Sequence, residues 1–160
     1  MILNYIAIVL LTFLIMEGIT WCTHRYVMHG FLWVLHADHH DKDHDHVLER
    51  NDSFFLVFGI PSFLLCLAGV RGGEVNGLLF IGLGVAMYGL AYVLVHDIFI
   101  HQRLKWLRRT KNPYFMALRK AHKVHHKHLG KEDGECFGML FVPWRYFREA
   151  FAYRRKMKTG

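Results

Sequence analysis

Thr23-His24-Arg25-Tyr26-Val27-Met28-His29-Gly30-Phe31-Leu32-Trp33-Val34-Leu35-His36-Ala37-Asp38-His39-His40 follows directly on an apolar run and places five histidines at x4, then x2, then adjacent spacing. The pattern returns later in the chain. His96 and His101 close another apolar run, and His122, His125 and His126 repeat the second box. Ten of the 13 histidines fall in this repeat; His44, His46 and His128 lie outside it. Imidazole nitrogen suits Fe, Zn, Cu and Ni, whereas Mg and Ca prefer oxygen. Ten ligands exceed the roughly four to six that one first-row ion takes. The spacing therefore predicts two metal ions held between two histidine-rich halves, with no catalytic side chains beyond the ligands.

Helical geometry separates the two kinds of box. Positions i, i+3 and i+4 share a face, so His36, His39 and His40 are expected to project together, as are His122, His125 and His126. The i, i+5 pairs stand about 140° apart on an α-helix. His24 and His29, or His96 and His101, must then serve different metals or sit where the helix unwinds.

The 160 residues read as one domain, 53% hydrophobic and 15% aromatic, yet with a net charge of +7. Mean hydropathy is positive at +0.17 while the pI is near 9.5. Segregation along the chain reconciles the two. Bilayer crossing needs about 20 mostly apolar residues, and three segments qualify: Ile2 to Cys22, Ser53 to Val70 and Asn76 to Val95. Asp52 or Ser53 is the expected N-cap of the second, and Pro61 its expected kink. Arg71-Gly72-Gly73-Glu74 reads as a tight polar turn. Phe137 to Phe151 is apolar but carries Arg145, Arg148 and Glu149, which fits an interfacial or re-entrant segment. Asn112-Pro113 opens a helix expected to reach Leu129 and stop at Gly130. The fold class is thus all-α: about three spanning helices, an interfacial segment and a histidine-rich helical cap. The N-terminus lacks a basic region before Arg25, so a cleavable leader is not expected. Cys22, Cys66 and Cys136 form no ligand or disulfide pattern, and Cys22 and Cys66 read as buried small hydrophobes.

Two crossings separate the first pair of boxes from the second, so all four emerge on one face. Of the 20 Lys and Arg residues, 19 belong to segments on that face and only Arg71 lies opposite. The positive-inside rule makes the face cytoplasmic, and the excess charge fits anionic lipid and an acidic protein partner. Nucleic acid is not an expected partner, since no recognised fold accompanies the charge. Within the spans, Glu17 is a costly charge. It reads as a carboxylate orienting a ligand, a polar group in a substrate channel, or a paired interfacial Glu. Asp97 can orient a neighbouring imidazole. Tyr88 and Tyr92 form a stripe with His96 that serves either packing or a channel. Gly82 and Ala86 make a small-xxx-small pair fit for helix contact or for a rigid apolar substrate.

Taken together, the quoted boxes resemble the membrane di-iron hydroxylases of the fatty-acid hydroxylase/sterol desaturase superfamily, and within it the bacterial β-carotene 3-hydroxylases that form zeaxanthin. The resemblance rests on Met16-Glu17-Gly18, the Thr23–Gly30 and Leu35–His40 boxes, Glu49-Arg50-Asn51-Asp52, His96 to Arg103 and Ala121 to His126. It covers nearly the whole chain and departs in the acidic run from Asp38 to His46. It implies residues 1–160 as a single di-iron domain in a bacterial inner membrane, with the ten box histidines as ligands. It also implies two iron ions, O2 as co-substrate, a carotenoid substrate dissolved in lipid, and electrons from ferredoxin. No Gly-rich dinucleotide motif or four-cysteine cluster pattern is present, so reductant is expected from outside. Other readings are a hydroxylase, desaturase or ketolase for another lipid or sterol, and a metal transporter. A transporter would place its ligands near the midplane of the spans, whereas these boxes sit at span ends.

Overall fold

The computed structural model describes residues 1–41, 48–105 and 107–159. Every regular element among them is helical. The expected connection around His44 and His46 lies outside the described residues.

Three helices are long and apolar enough to cross a membrane, over Ile2–Phe31, Arg50–Val70 and Gly77–Ile100. Their α-helical parts are α1 (Ile2–Cys22), α3 (Phe54–Val70) and α4 (Gly77–Tyr92). Leu3, Ile6, Leu10 and Leu14 of α1, and Leu56, Ile60, Phe63 and Leu67 of α3, are exposed. Such bands of aliphatic surface match a hydrocarbon solvent and not water.

Small residues on α4 let it pack on both sides. A Cβ at Gly82 would lie 2.5 Å from Cys66 Sγ on α3, and one at Gly84 would lie 2.6 Å from Thr12 Cβ on α1. Overpacking of this kind costs about 1–3 kcal/mol. Ser62 Oγ adds a hydrogen bond to the Gly82 carbonyl at 2.8 Å. Ala86 is exposed, so the expected Gly82–Ala86 pair is not one contact surface. The α3–α4 connection turns through Gly72 and Gly73 at φ 95° and 83°, values glycine adopts without steric cost. Asn76 caps α4 by accepting from Leu78 N.

Residue pairing fixes the directions. Ser62 meets Gly82 while Gly69 meets Leu79, making α3 antiparallel to α4. Tyr5 stacks on Phe80 and Glu17 reaches Tyr88, making α1 parallel to α4. The C-terminal ends of α1 and α4 therefore lie at the same end of the bundle as the start of α3. All four boxes gather there, as the crossing parity required.

The cap is built from α2 (Trp33–His40), α5 (Pro113–His125) and α6 (Trp144–Thr159). Asn112 caps α5 through Tyr114 N, worth about 1 kcal/mol. Ala117 and Ala121 of α5 pack against Tyr146 and Ala150 of α6. Four expectations change. α5 ends at His125 and not near Leu129, because the chain leaves the helix to put the Leu129 and Glu135 carbonyls against histidines. The second span is preceded by a 3-10 turn, Arg50–Ser53, with a capping box in which Glu49 N donates to Asp52 Oδ2; Ser53 is the N-cap of α3, as expected, but its hydroxyl donates to Arg50 O instead of capping. Phe137 to Phe151 is two structures, an irregular segment and then the first half of α6. Cys22 is exposed, on the outer surface of its span.

Candidate metal centre

The x4 boxes lie on π-helical segments, Thr23–Phe31 and Val93–Ile100, that continue α1 and α4. His101 N donates to His96 O at 2.9 Å, an i to i+5 bond. This wider turn brings residues five apart onto one face. Ring centroids lie 5.0 Å apart for His24 and His29, and 4.6 Å for His96 and His101. Each pair thus serves one cluster, and local unwinding is how it does so.

The x2 boxes behave differently from the one-face expectation. His36 and His40 join His24 and His29, but His39 turns away to His96, His101 and His122. His125 of the second half completes the first cluster. His126 joins the second cluster with Nε2 2.8 Å from His122 Nε2. The i and i+4 members stay together and the middle histidine crosses over. The first cluster is therefore His24, His29, His36, His40 and His125, and the second is His39, His96, His101, His122 and His126. His128 is exposed and belongs to neither.

Hydrogen bonding on the outer nitrogens shows that a cation fits. Nδ1 donates to Phe137 O from His24 (2.9 Å), to Leu129 O from His29 (2.8 Å) and to Asn51 Oδ1 from His36 (2.6 Å). It donates to Glu49 Oε2 from His39 (2.8 Å), to Asp97 Oδ1 from His96 (2.7 Å) and to Glu135 O from His125 (2.9 Å). Each of these oxygens only accepts, so the proton sits on Nδ1 and Nε2 carries a bare lone pair. Yet Nε2 of His24 faces Nε2 of His36 at 3.1 Å, and His29 faces His125 at 3.1 Å. Two lone pairs at that distance repel unless a positive ion lies between them. His39 Nε2 is buried with no hydrogen-bond partner. Such outer hydrogen bonds also orient metal-ligating imidazoles.

Burial keeps the rings in the neutral form that a metal needs. It lowers His36 to about 4 against the opposing effect of its hydrogen bond to Asn51, and His101 to about 4 with Arg103 adding. His125 falls to about 3 by burial and the nearby His29. His39 and His122 are likewise pushed well down, by burial and then by His96. Burial raises the Cys136 thiol to about 11, so it stays protonated beside the site.

Arg103 ties the halves together. It grips Asp52 through two nitrogens at 2.8 and 3.1 Å and lies 3.1 Å from Glu49. Glu49 and Asn51 have clear structural roles that spacing alone did not assign, although the Glu49–Asp52 stretch stood out as a motif. The carbonyls of Leu129, Glu135 and Phe137 carry no side-chain signal at all.

Beneath the clusters an apolar cavity opens among α1, α3 and α4. Tyr88 and Tyr92 both line it, with Met16, Phe54, Phe58 and Val85. Tyr92 OH lies 3.4 Å from His96 Nε2, and Asn51 lines the cavity while accepting from His36. The cavity therefore reaches each cluster through one intervening side chain, Tyr92 toward His96 and Asn51 toward His36, and none of the described histidines lines it. Glu17 is buried but reaches neither: it accepts from Tyr88 OH at 2.6 Å and from three backbone amides of residues 139–141.

The chain is similar to known proteins along most of its length. A profile of the fatty acid hydroxylase family matches residues 9–148. The chain is 38% identical over 137 residues to a "Beta-carotene hydroxylase" of Paracoccus sp. (strain PC1), covering 85% of this chain and 83% of that one. It is 40% identical over 135 residues to a protein of the same name from Pseudescherichia vulneris, covering 84% and 75%. A "Beta-carotene 3-hydroxylase, chloroplastic" of an Oncidium hybrid cultivar is 35% identical over 142 residues, 86% of this chain and 45% of that one. No solved structure matches the chain.

Proposed function

The chain belongs to the fatty acid hydroxylase family, and from that premise we propose that it hydroxylates the β-ionone rings of β-carotene at the 3-position, yielding β-cryptoxanthin and then zeaxanthin. It is a membrane monooxygenase of carotenoid biosynthesis, formed by residues 1–160 as one domain. The observation that carries the reading is the pair of five-imidazole clusters at one end of an apolar cavity inside the spans, linked to it through Tyr92 and Asn51. The ten box histidines are the ligands.

Two iron ions held by these rings would supply the O2 chemistry that an unactivated C–H bond demands. The chain's own residues do the rest. Outer hydrogen bonds from Nδ1 of His24, His29, His36, His39, His96 and His125 hold their Nε2 atoms aimed inward. Tyr88, Phe54 and Phe58 give the cavity an aromatic wall that excludes water and accepts a rigid hydrocarbon ring. Tyr92 closes the cavity beside His96. The substrate enters from the bilayer, in which it is soluble. Electrons come from an acidic donor of the ferredoxin type, which the basic cap attracts. The 19-to-1 distribution of Lys and Arg supports a bacterial inner membrane with the clusters on its cytoplasmic face.

Co-expression in a β-carotene-producing host tests the reading. β-Cryptoxanthin and zeaxanthin are expected under air and absent without oxygen. Unchanged β-carotene beside a newly hydroxylated fatty acid or sterol would move the substrate to another lipid.

A further inference from the structure

Glu17 is a buried carboxylate in a membrane helix, and it touches no histidine. All four of its hydrogen bonds are received. Oε1 accepts from the consecutive backbone amides of Met139 (2.9 Å), Leu140 (2.8 Å) and Phe141 (3.0 Å). Oε2 accepts from Tyr88 OH at 2.6 Å. A carboxylate only accepts, and charge-assisted bonds of this kind are the strong ones. Three successive amides aimed at one oxygen fix the backbone that presents them.

That backbone carries the supports of the first cluster. Phe137, two residues before Met139, gives its carbonyl to His24 Nδ1. Glu135 gives its carbonyl to His125 Nδ1. Between them Cys136 holds φ 60°, a conformation that non-glycine residues keep only when neighbouring contacts enforce it. The segment is tied at its other end too, where Tyr146 OH donates to Glu135 Oε1 at 2.6 Å and Arg145 pairs with the same carboxylate. Tyr146 thus secures the Glu135 side, and Glu17 secures the Phe137 side. The second cluster is supported differently: its His39 and His96 donate to the side-chain carboxylates of Glu49 and Asp97.

We propose that Glu17 is a positioning residue for the first histidine cluster: from within the first span it latches the 139–141 backbone and so holds the Phe137 and Glu135 carbonyls that aim His24 and His125. The proposal rests on the two-metal reading of the clusters. It predicts that losing the latch loosens one metal ion and leaves the other alone.

The test uses the full chain in nanodiscs, loaded with Co2+ and challenged with EDTA, with release followed by the cobalt absorption band and by metal analysis. Wild type should retain about two ions per chain. In Glu17→Leu one ion per chain should leave about 10–100-fold faster, the range for losing an outer support of a metal site, while the second leaves at the wild-type rate. Glu17→Gln keeps an accepting oxygen for the three amides and should restore slow release. Gly138→Ala supplies a second route, since its Cβ would lie 2.8 Å from Glu17 Oε1 and displace the carboxylate without removing it. It should mimic Glu17→Leu, and it decides the matter alone if Glu17→Leu fails to insert. Equal acceleration of both ions, or two ions released at wild-type rates, would overturn the proposal. Only one ion in the wild type would instead remove the two-metal reading beneath it.

Discussion

His24, His29, His36 and His40 meet His125 in one cluster, while His96, His101, His122 and His126 meet His39 in the other. Each half keeps four imidazoles and lends the middle histidine of its x2 box to its neighbour. The inner plan is the same, but the outer support differs. The first cluster is aimed by neutral groups: the carbonyls of Leu129, Glu135 and Phe137 and the amide of Asn51. The second is aimed by the carboxylates of Glu49 and Asp97, with Arg103 balancing Glu49 and Asp52. A carboxylate partner makes an imidazole a more basic ligand. The second site therefore depends on charge, and the first depends on the placement of a loop.

The exchange of middle histidines gives the largest predicted effects. His39→Ala should empty the second site and His125→Ala the first, each taking the metal content from about two ions per chain to about one. Hydroxylation should stop in both, because the chemistry needs the pair, while membrane insertion is unchanged. Loss of the first ion in His39→Ala would break the crossed assignment. At the next level, Glu49→Gln and Asp97→Asn should weaken metal retention about 10–100-fold, and only at the second site. Asn51→Ala should weaken the first site by less, since a neutral acceptor is removed. Equal effects on both sites in a chelator-release assay would erase the distinction drawn between charge and placement.

The exchange itself was only half legible in the sequence. The repeat of His24–His29 and His96–His101 marked the sites, and the polar and apolar runs located three spans and placed all four boxes at one end of the bundle. What spacing could not show is that the x4 pairs lie on π-helical turns, because a period of 3.6 residues is assumed when a helix is read from sequence. Nor could it show that His39 and His125 cross over, since i, i+3 and i+4 share a face only relative to one partner and here there are two. Glu17 stood out as a charge in a span, but its partners are backbone amides 122–124 residues away. Amide donors leave no trace in side-chain identity.

Acid should make the clusters alike. His36 of the first and His101 of the second are both held near 4 by burial, against about 6.5 in an unfolded chain. Between those values the unfolded chain binds more protons, so stability falls as pH falls. The metal-free protein should be fully stable above about pH 6.5 and lose stability progressively toward pH 4, with bound metal displacing the loss to lower pH. Denaturation midpoints across that range, with and without metal, check the sign. A flat profile would mean that the rings are less buried than the structure shows.

All of these contrasts assume two metal ions per chain. Iron analysis of the purified full-length protein, set against its amino-acid content, measures this directly. The account predicts about two irons per chain in the wild type. A clean stoichiometry of one in fully active protein would contradict it.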